Sequence, residues 1–356
     1  MESVLRATEE GLGNGETPIF PIQIFKVKEG VSFNPGDPNY DLFKMACKVS
    51  AKRLFPNFSF LDAPFNKQYL EEGNPATECA YMGCRTRVIG NVHDPSREVV
   101  NGRGNLSFTS INLPRIAYLS NDEAEFYKRL DRLMDISARS LSIKRQIITK
   151  LLDEGLYPYT KKYLGTFANH FSTIGLVGMN EAGLNAKWLQ ADMTHEKTQS
   201  FAKDVLNHMR ERLSDYQELY GDLYNLEATP AESTTYRLAK HDKKHYPEII
   251  TATEEGNTPY YTNSSHLPVG YTQDIFEALD MQDELHTLYT SGTVFHAFLG
   301  EKLPDWQSCA NLVKKIASNY RLPYYSISPT YSVCKTHGYI AGEAFTCPHC
   351  GEEAEV

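Results

Sequence analysis

From residue 122 onward the chain switches repeatedly between helical and strand periodicity, and this limits its possible folds more than any other feature. Charged and apolar residues alternate at helical spacing in DEAEFYKRLDRLMDISARSLSIKRQIITKLLDEGL (122–156), predicting one long amphipathic helix or two, ended by Gly155. YLGTFANHFSTIGLVGMNEAGLN (163–185) reads as strand, turn, strand with closely spaced glycines, and residues 193–220 as a second amphipathic helix. Residues 224–246 read as strand, polar turn and helix start. Helix, strand, helix and strand then follow in DIFEALDMQDELHTLY, SGTVFHAFLGE, PDWQSCANLVKKIASNY and YYSISPTYSVC. Upstream, TPIFPIQIFKV is an apolar, β-rich run, DLFKMACKVSAKRLFP is helical as far as Pro56, and FPNFSFLDAPFN is strand-like. Such alternation defines an α/β protein.

The bulk properties narrow the function. A net charge of -9 excludes a large nucleic-acid footprint, which needs a basic surface. No run is long and apolar enough for a membrane span, and the acidic start MESVLRATEEGLGNGETPIF is not a secretory signal. Seven cysteines, an odd number, fit a reducing cytoplasm in which thiols serve metals or catalysis, not disulfides.

Three stretches carry candidate chemistry. In ECAYMGCRTRVIGNVHDPSREVVNGRGNLSFTSINLPRIA (78–117), Cys84 sits at a Gly-Cys-Arg turn, where nearby positive charge favours the thiolate and glycine exposes the sulfur. Read more plainly, Cys84 is a small apolar residue closing a strand. The C-terminus carries Cys334-x2-His337 and, nine residues on, Cys347-x2-Cys350, two knuckles that suit a tetrahedral structural zinc. His349, between two ligands, would point away. In ATPAESTTYR (228–237), Pro230, Ser233, Thr234 and Thr235 lie between a strand and a helix, where hydroxyls and free amides could hold phosphate or simply cap the helix.

Taken together, YMGCRTR, NLSFTSINLPRIA, HFSTIGLVGMNEAGLN, TPAESTTYRLAKHDKKHYP, YYTNSSHLPVGYTQDIFEALD, SGTVFHAFLGE and SVCKTHGYIAGEAFTCPHCGEE resemble the anaerobic (class III) ribonucleoside-triphosphate reductases, in the family's order and over nearly the whole chain. The resemblance implies the second half of a ten-stranded α/β barrel with a finger loop, spanning 1–330 with the loop near 78–105, followed by a zinc-ribbon-like tail at 331–356. It places Cys84 at the finger tip as the thiyl radical that abstracts the substrate's 3′-hydrogen. A glycyl radical, installed by a radical-SAM activating enzyme, would generate that thiyl. The resemblance also implies Asn105 as the first choice, with Asn112, for orienting the ribose, Ser233, Thr234 and Thr235 for the substrate phosphates, and Cys334, His337, Cys347 and Cys350 for structural zinc.

The departures from the family pattern are as specific. Its first half-barrel, its ATP cone and its Arg-Val-x-Gly-Tyr radical motif are not in this sequence, and Cys79 lies too near Cys84 to serve as the second active-site cysteine. The expectation is therefore a cytoplasmic reductase portion, with a homodimer among its expected assemblies, that works with a chain carrying the N-terminal half and the radical glycine. The reductant would be formate or a thiol system. The alternative is an inactive remnant or zinc-bearing interaction module. Half a barrel would leave open strand edges, so the isolated chain is expected to need a partner or to aggregate.

Overall fold

A computed structural model describes residues 1–13, 15, 17, 20–53, 55–68, 70–82, 86–88, 102–253, 258–268, 270–272, 274–299, 303–328, 331–341 and 344–355. The chain forms two compact units: residues 1–68, 272–283 and 294–356 make one, and 69–271 with 284–293 make the other.

The first unit begins with α1 (Glu2–Glu10), β1 (Ile24–Val27), α2 (Tyr40–Ser50), β2 (Asn57–Phe60) and the short α3 (Pro64–Lys67). Apolar residues at helical spacing on α2, Phe43, Ala46, Cys47 and Val49, are all buried. Every residue of β2 is buried, as suits a strand inside a sheet.

The second unit opens with β3 (Ala80–Met82) and β4 (Thr86–Val88), an antiparallel pair. Then come β5 (Gly104–Asn112), α4 (Leu113–Leu119), α5 (Glu123–Asp153) and α6 (Pro158–Tyr163). They are followed by β6 (His170–Val177), α7 (Met179–Asn185), α8 (Glu196–Tyr220), β7 (Leu223–Glu227) and α9 (Glu232–His245). Asp122 starts α5 by accepting a hydrogen bond from the Glu125 backbone N–H at 2.8 Å, while Glu125 accepts one from the Asn121 N–H at 2.9 Å. This reciprocal cap satisfies donors that a helix start leaves open. One face of α5 then buries Phe126, Leu130, Met134, Ala138 and Leu141.

Strands β5, β6 and β7 are parallel, with β6 central and buried along its full length. Alternation along the strands sends Ile111, Ile174, Leu176, Tyr224 and Leu226 to the core shared with α5 and α8. Phe171, Thr173, Gly175 and Val177 fall on the opposite face of β6. The second strand expected within 163–185 is instead α7. Gly178 adopts the left-handed conformation (φ 77), ends β6, and starts the helix MNEAGLN. Glu181 in that helix is buried, accepts hydrogen bonds from the Thr262 N–H and hydroxyl at 2.9 and 2.7 Å, and has its carboxyl pKa pushed up by burial.

Gly175 has a steric reason to be glycine. A Cβ there would lie 1.6 Å from Thr229 Oγ1 and 3.1 Å from the Glu227 carbonyl oxygen. Gly175→Ala is expected to cost about 1–3 kcal/mol through overpacking, and Thr229→Ala in the same chain to restore part of it. Urea unfolding of the single and double variants checks this; an unchanged midpoint for Gly175→Ala would contradict it.

Helix α10 (Ile275–His286) precedes β8 (Phe295–Phe298), α11 (Trp306–Asn319) and β9 (Tyr325–Ser328). The first unit's sheet has the order β1-β2-β9-β8, with β1 parallel to β2, β2 antiparallel to β9, and β9 parallel to β8. Cys47 and Cys309 lie in its apolar core, so these two thiols pack, and burial pushes the Cys47 thiol pKa up. The chain closes with β10 (Tyr331–Cys334), β11 (Gly338–Ala341) and β12 (Ala354–Glu355), a separate three-stranded sheet in the order β11-β10-β12. Among the described residues no helix is long and apolar enough to cross a membrane.

Candidate functional site

The face of the β5-β6-β7 sheet away from α5 and α8 is polar at its carboxyl end. One transverse row crosses it: Ser110 pairs with Gly175, Gly175 with Glu227, Glu227 with Gly292, and Gly292 with Thr86. Residues 291–292 thus act as a link between β7 and β4. Ser291 N–H donates to the Leu226 carbonyl at 2.7 Å, Ala228 N–H to Gly292 at 2.8 Å, and Arg87 N–H to Ser291 at 2.5 Å. Side chains occur in this row only at Ser110, Glu227 and Thr86. The space that a side chain at Gly175 would take is filled by Thr229, whose hydroxyl lies 3.2 Å from that of Ser110.

Glu227 is the residue that sequence reasoning missed. It is buried, and the Thr86 hydroxyl donates to its Oε1 at 2.8 Å. A buried carboxylate that accepts from a hydroxyl in this row can orient donors of a bound molecule or take a proton. The signal was present in the sequence: an acid within the apolar strand YNLEA demands a partner or a purpose. In the next row back, Thr173 donates to the Asn225 side-chain oxygen at 2.6 Å.

Cys84 lies outside the described residues, between β3 and β4 in sequence and two residues before Thr86. Asn105 is on β5 opposite Phe171, beside a bulge, and its side-chain oxygen is buried with no hydrogen-bond partner among the described residues. Asn112 is already committed. Its oxygen caps α4 by accepting from the Arg115 N–H at 3.3 Å, and its amide donates to Asp242 at 2.8 Å. Asp242 is fully buried, is also bound by Arg115 and by the Tyr261 hydroxyl (2.8 Å), and so ties α9 to the start of α4. Ser233, Thr234 and Thr235 occupy the first turn of α9, not a preceding loop. Ser233 is exposed, Thr234 half-buried and Thr235 buried, and the Thr234 N–H turns back to the Ala231 carbonyl at 2.7 Å.

The second candidate site is the C-terminal cluster. One ligand atom from each of Cys334, His337, Cys347 and Cys350 lies within 4.8 Å of all the others, and the four could hold a metal ion. The Cys334 sulfur is 3.6 Å from the Cys350 sulfur and 3.7 Å from His337 Nδ1, which is 3.6 Å from the Cys347 sulfur. Zinc–sulfur bonds of about 2.3 Å at tetrahedral angles put neighbouring sulfurs about 3.8 Å apart, so the observed edges have the size of a zinc tetrahedron. Backbone N–H groups of Thr336 and His337 point at the Cys334 sulfur, and that of His349 at the Cys347 sulfur, each at 3.4 Å. These donors favour thiolates. The turn after the second knuckle closes at Gly351 (φ 76), whose N–H donates to the Cys347 carbonyl at 2.9 Å.

This architecture is that of the anaerobic ribonucleotide reductases. A solved enzyme of that name superposes with a TM-score of 0.70 at 21% identity, over 99% of this chain and 52% of its own. The Thermotoga maritima anaerobic ribonucleotide reductase, crystallised with MES in its active site, gives 0.69 over 99% and 54%. The chain belongs to the anaerobic ribonucleoside-triphosphate reductase family, whose model matches residues 1–356. Relatives that carry this name include those of Haemophilus influenzae, 28% identical over 98% of this chain and 50% of the relative, and Enterobacteria phage T4, 27% identical over 99% and 59%. The chain spans about half the length of the relatives it matches.

Proposed function

We propose that this chain supplies the finger-loop cysteine, part of the substrate pocket and the zinc-bearing tail of an anaerobic ribonucleoside-triphosphate reductase. The observation that carries this reading is the row Ser110–Gly175–Glu227–Gly292–Thr86, which ends two residues from Cys84. The barrel half that the family resemblance implies would put this face inside, where a radical is kept from water and oxygen.

In this reading Cys84 gives up its sulfur-bound hydrogen atom to a glycyl radical carried on a segment outside this sequence and installed by a radical-SAM activating enzyme. The resulting thiyl takes the 3′-hydrogen of the ribose; the 3′-hydroxyl gives up a proton while the 2′-hydroxyl gains one and leaves as water. Formate or a thiol supplies two electrons, two protons are taken up with them, and Cys84 returns the hydrogen atom to the 3′ carbon. Asn105, whose side-chain oxygen lacks a partner among the described residues, and Glu227 orient the ribose hydroxyls. The first turn of α9 offers the phosphates the hydroxyls of Ser233 and Thr234 at the positive end of the helix, with Thr235 behind them. Asn112 acts indirectly, through its bond to Asp242 in α9. Zinc in the Cys3His cluster is structural, because four protein ligands leave no open position.

The nucleotide half of this reading can be tested on this chain assembled with the N-terminal half of the barrel, without radical activation. Under anoxia, a ribonucleoside triphosphate should slow alkylation of Cys84 by iodoacetamide several-fold, followed by peptide mass, while inorganic phosphate should not. An alkylation rate that is the same with and without nucleotide would sink the proposed pocket.

A further inference from the structure

Helix α5 is apolar on two sides. About 120° around the helix from the face that buries Phe126, Leu130, Met134, Ala138 and Leu141, it exposes Leu133, Ile136, Ile143 and Ile147, at 38, 56, 46 and 54%. At 3.6 residues per turn these four fall within an arc of about 80°. Their spacing is that of the a and d positions of a heptad, with the exposed Ser140 at the place of the missing member.

The rim of this stripe is basic. Arg132, Arg139 and Lys144 flank it, all exposed, and none forms an ion pair among the described residues. Lys150, further along, only approaches Glu154 at 3.7 Å. Three of the helix's acids are engaged elsewhere, Glu125 with Arg129 at 2.6 Å, and Asp131 and Asp135 with Arg212 at 3.5 and 2.5 Å, while Glu123 and Asp153 stand at its two ends. A positive rim around an apolar seam thus stands out on a chain of net charge -9.

We infer that the outer face of α5 docks an amphipathic helix of another polypeptide, one whose apolar seam is flanked by Asp or Glu. The stripe is too narrow for a lipid-facing helix and carries no aromatic side chain, which disfavours a bilayer. A second copy of α5 would set Arg139 and Lys144 against like charges, which disfavours self-pairing. An acidic helix meets both demands at once: its apolar side chains cover the seam, and its carboxylates meet the rim. This assignment does not depend on the proposed reductase chemistry.

The test uses fluorescein-labelled peptides of about four heptads, apolar at a and d, with either Glu or Lys at e and g. The full chain should bind the Glu peptide in fluorescence anisotropy and bind the Lys peptide at least tenfold more weakly. Ile143→Asp should weaken the Glu peptide at least tenfold. Arg139→Glu combined with Lys144→Glu should reverse the preference in favour of the Lys peptide. Circular dichroism checks that these exposed substitutions leave the fold intact. Equal binding of the two peptides would overturn the inference, as would no effect of Ile143→Asp. So would rapid disulfide crosslinking of a Ser140→Cys chain without peptide, which would assign the face to a second copy. Cosedimentation with phosphatidylserine vesicles that Ile143→Asp abolishes would assign it to a membrane and equally overturn it.

Discussion

A Cys347→Ser chain is expected to bind no zinc and to lose the ordered C-terminal tail, while the parallel sheet of the second unit stays folded. The tail has little core of its own. Its three short strands include one of two residues, and apart from the two ligand cysteines Cys334 and Cys347 few of its side chains are buried. A structural zinc can contribute on the order of 10 kcal/mol to such a segment, more than its own packing supplies. Elemental analysis should find about one zinc per wild-type chain and essentially none for Cys347→Ser or His337→Ala. Amide exchange over residues 331–355 should then lose protection, with β6 unaffected. A metal-free wild-type chain with the same protection in the tail would refute the site.

Cys84→Ala is expected to abolish deoxynucleotide formation by the assembled enzyme, a loss on the order of 10³-fold or more. The chemistry explains the size of the effect. In the proposed reaction the group at this position has to exchange a hydrogen atom with both a glycyl carbon and a ribose carbon, which a sulfur–hydrogen bond is weak enough to do. Cys84→Ser should be equally inactive, since an O–H bond is too strong to enter the exchange. Glu227→Gln should fall less, by about 10²-fold, because it removes an orienting and proton-accepting group and leaves the radical carrier in place. Zinc content and thermal unfolding of all three variants should match the wild type, which separates lost chemistry from lost structure. Product formation by Cys84→Ala at the wild-type rate would end this assignment.

Much of this was readable from periodicity. The helix over 122–156 is α5, because its apolar spacing and the Asp122–Glu125 cap agree. Within 193–220, α8 (Glu196–Tyr220) follows from apolar spacing alone, since its start at His195 has no side-chain cap. The stretch 163–185 was not fully readable. GLVGMNEAGLN mixes glycine with apolar residues, and only the left-handed backbone at Gly178 shows that a helix follows β6. The metal cluster could be read from spacing alone, since two short knuckles fix four ligands locally. For Glu227 only the acid within an apolar strand was legible; its surroundings were not, because Gly175, Gly292 and Thr86 come from three other segments and meet only in the sheet. Asn112 looked like a ligand-binding amide, yet it spends both its groups on α4 and Asp242. The two buried thiols Cys47 and Cys309 show how a cysteine count overstates chemistry when cysteines serve as small core residues.

The most direct measurement is deoxynucleotide production from a ribonucleoside triphosphate under strict anoxia. It requires this segment together with the N-terminal half and the radical glycine, on the same chain or another, with an activating enzyme and a reductant, formate or a thiol. The account predicts product that requires this chain and disappears with Cys84→Ala. No product from a set in which the glycyl radical is seen by electron paramagnetic resonance and the zinc is bound would contradict it.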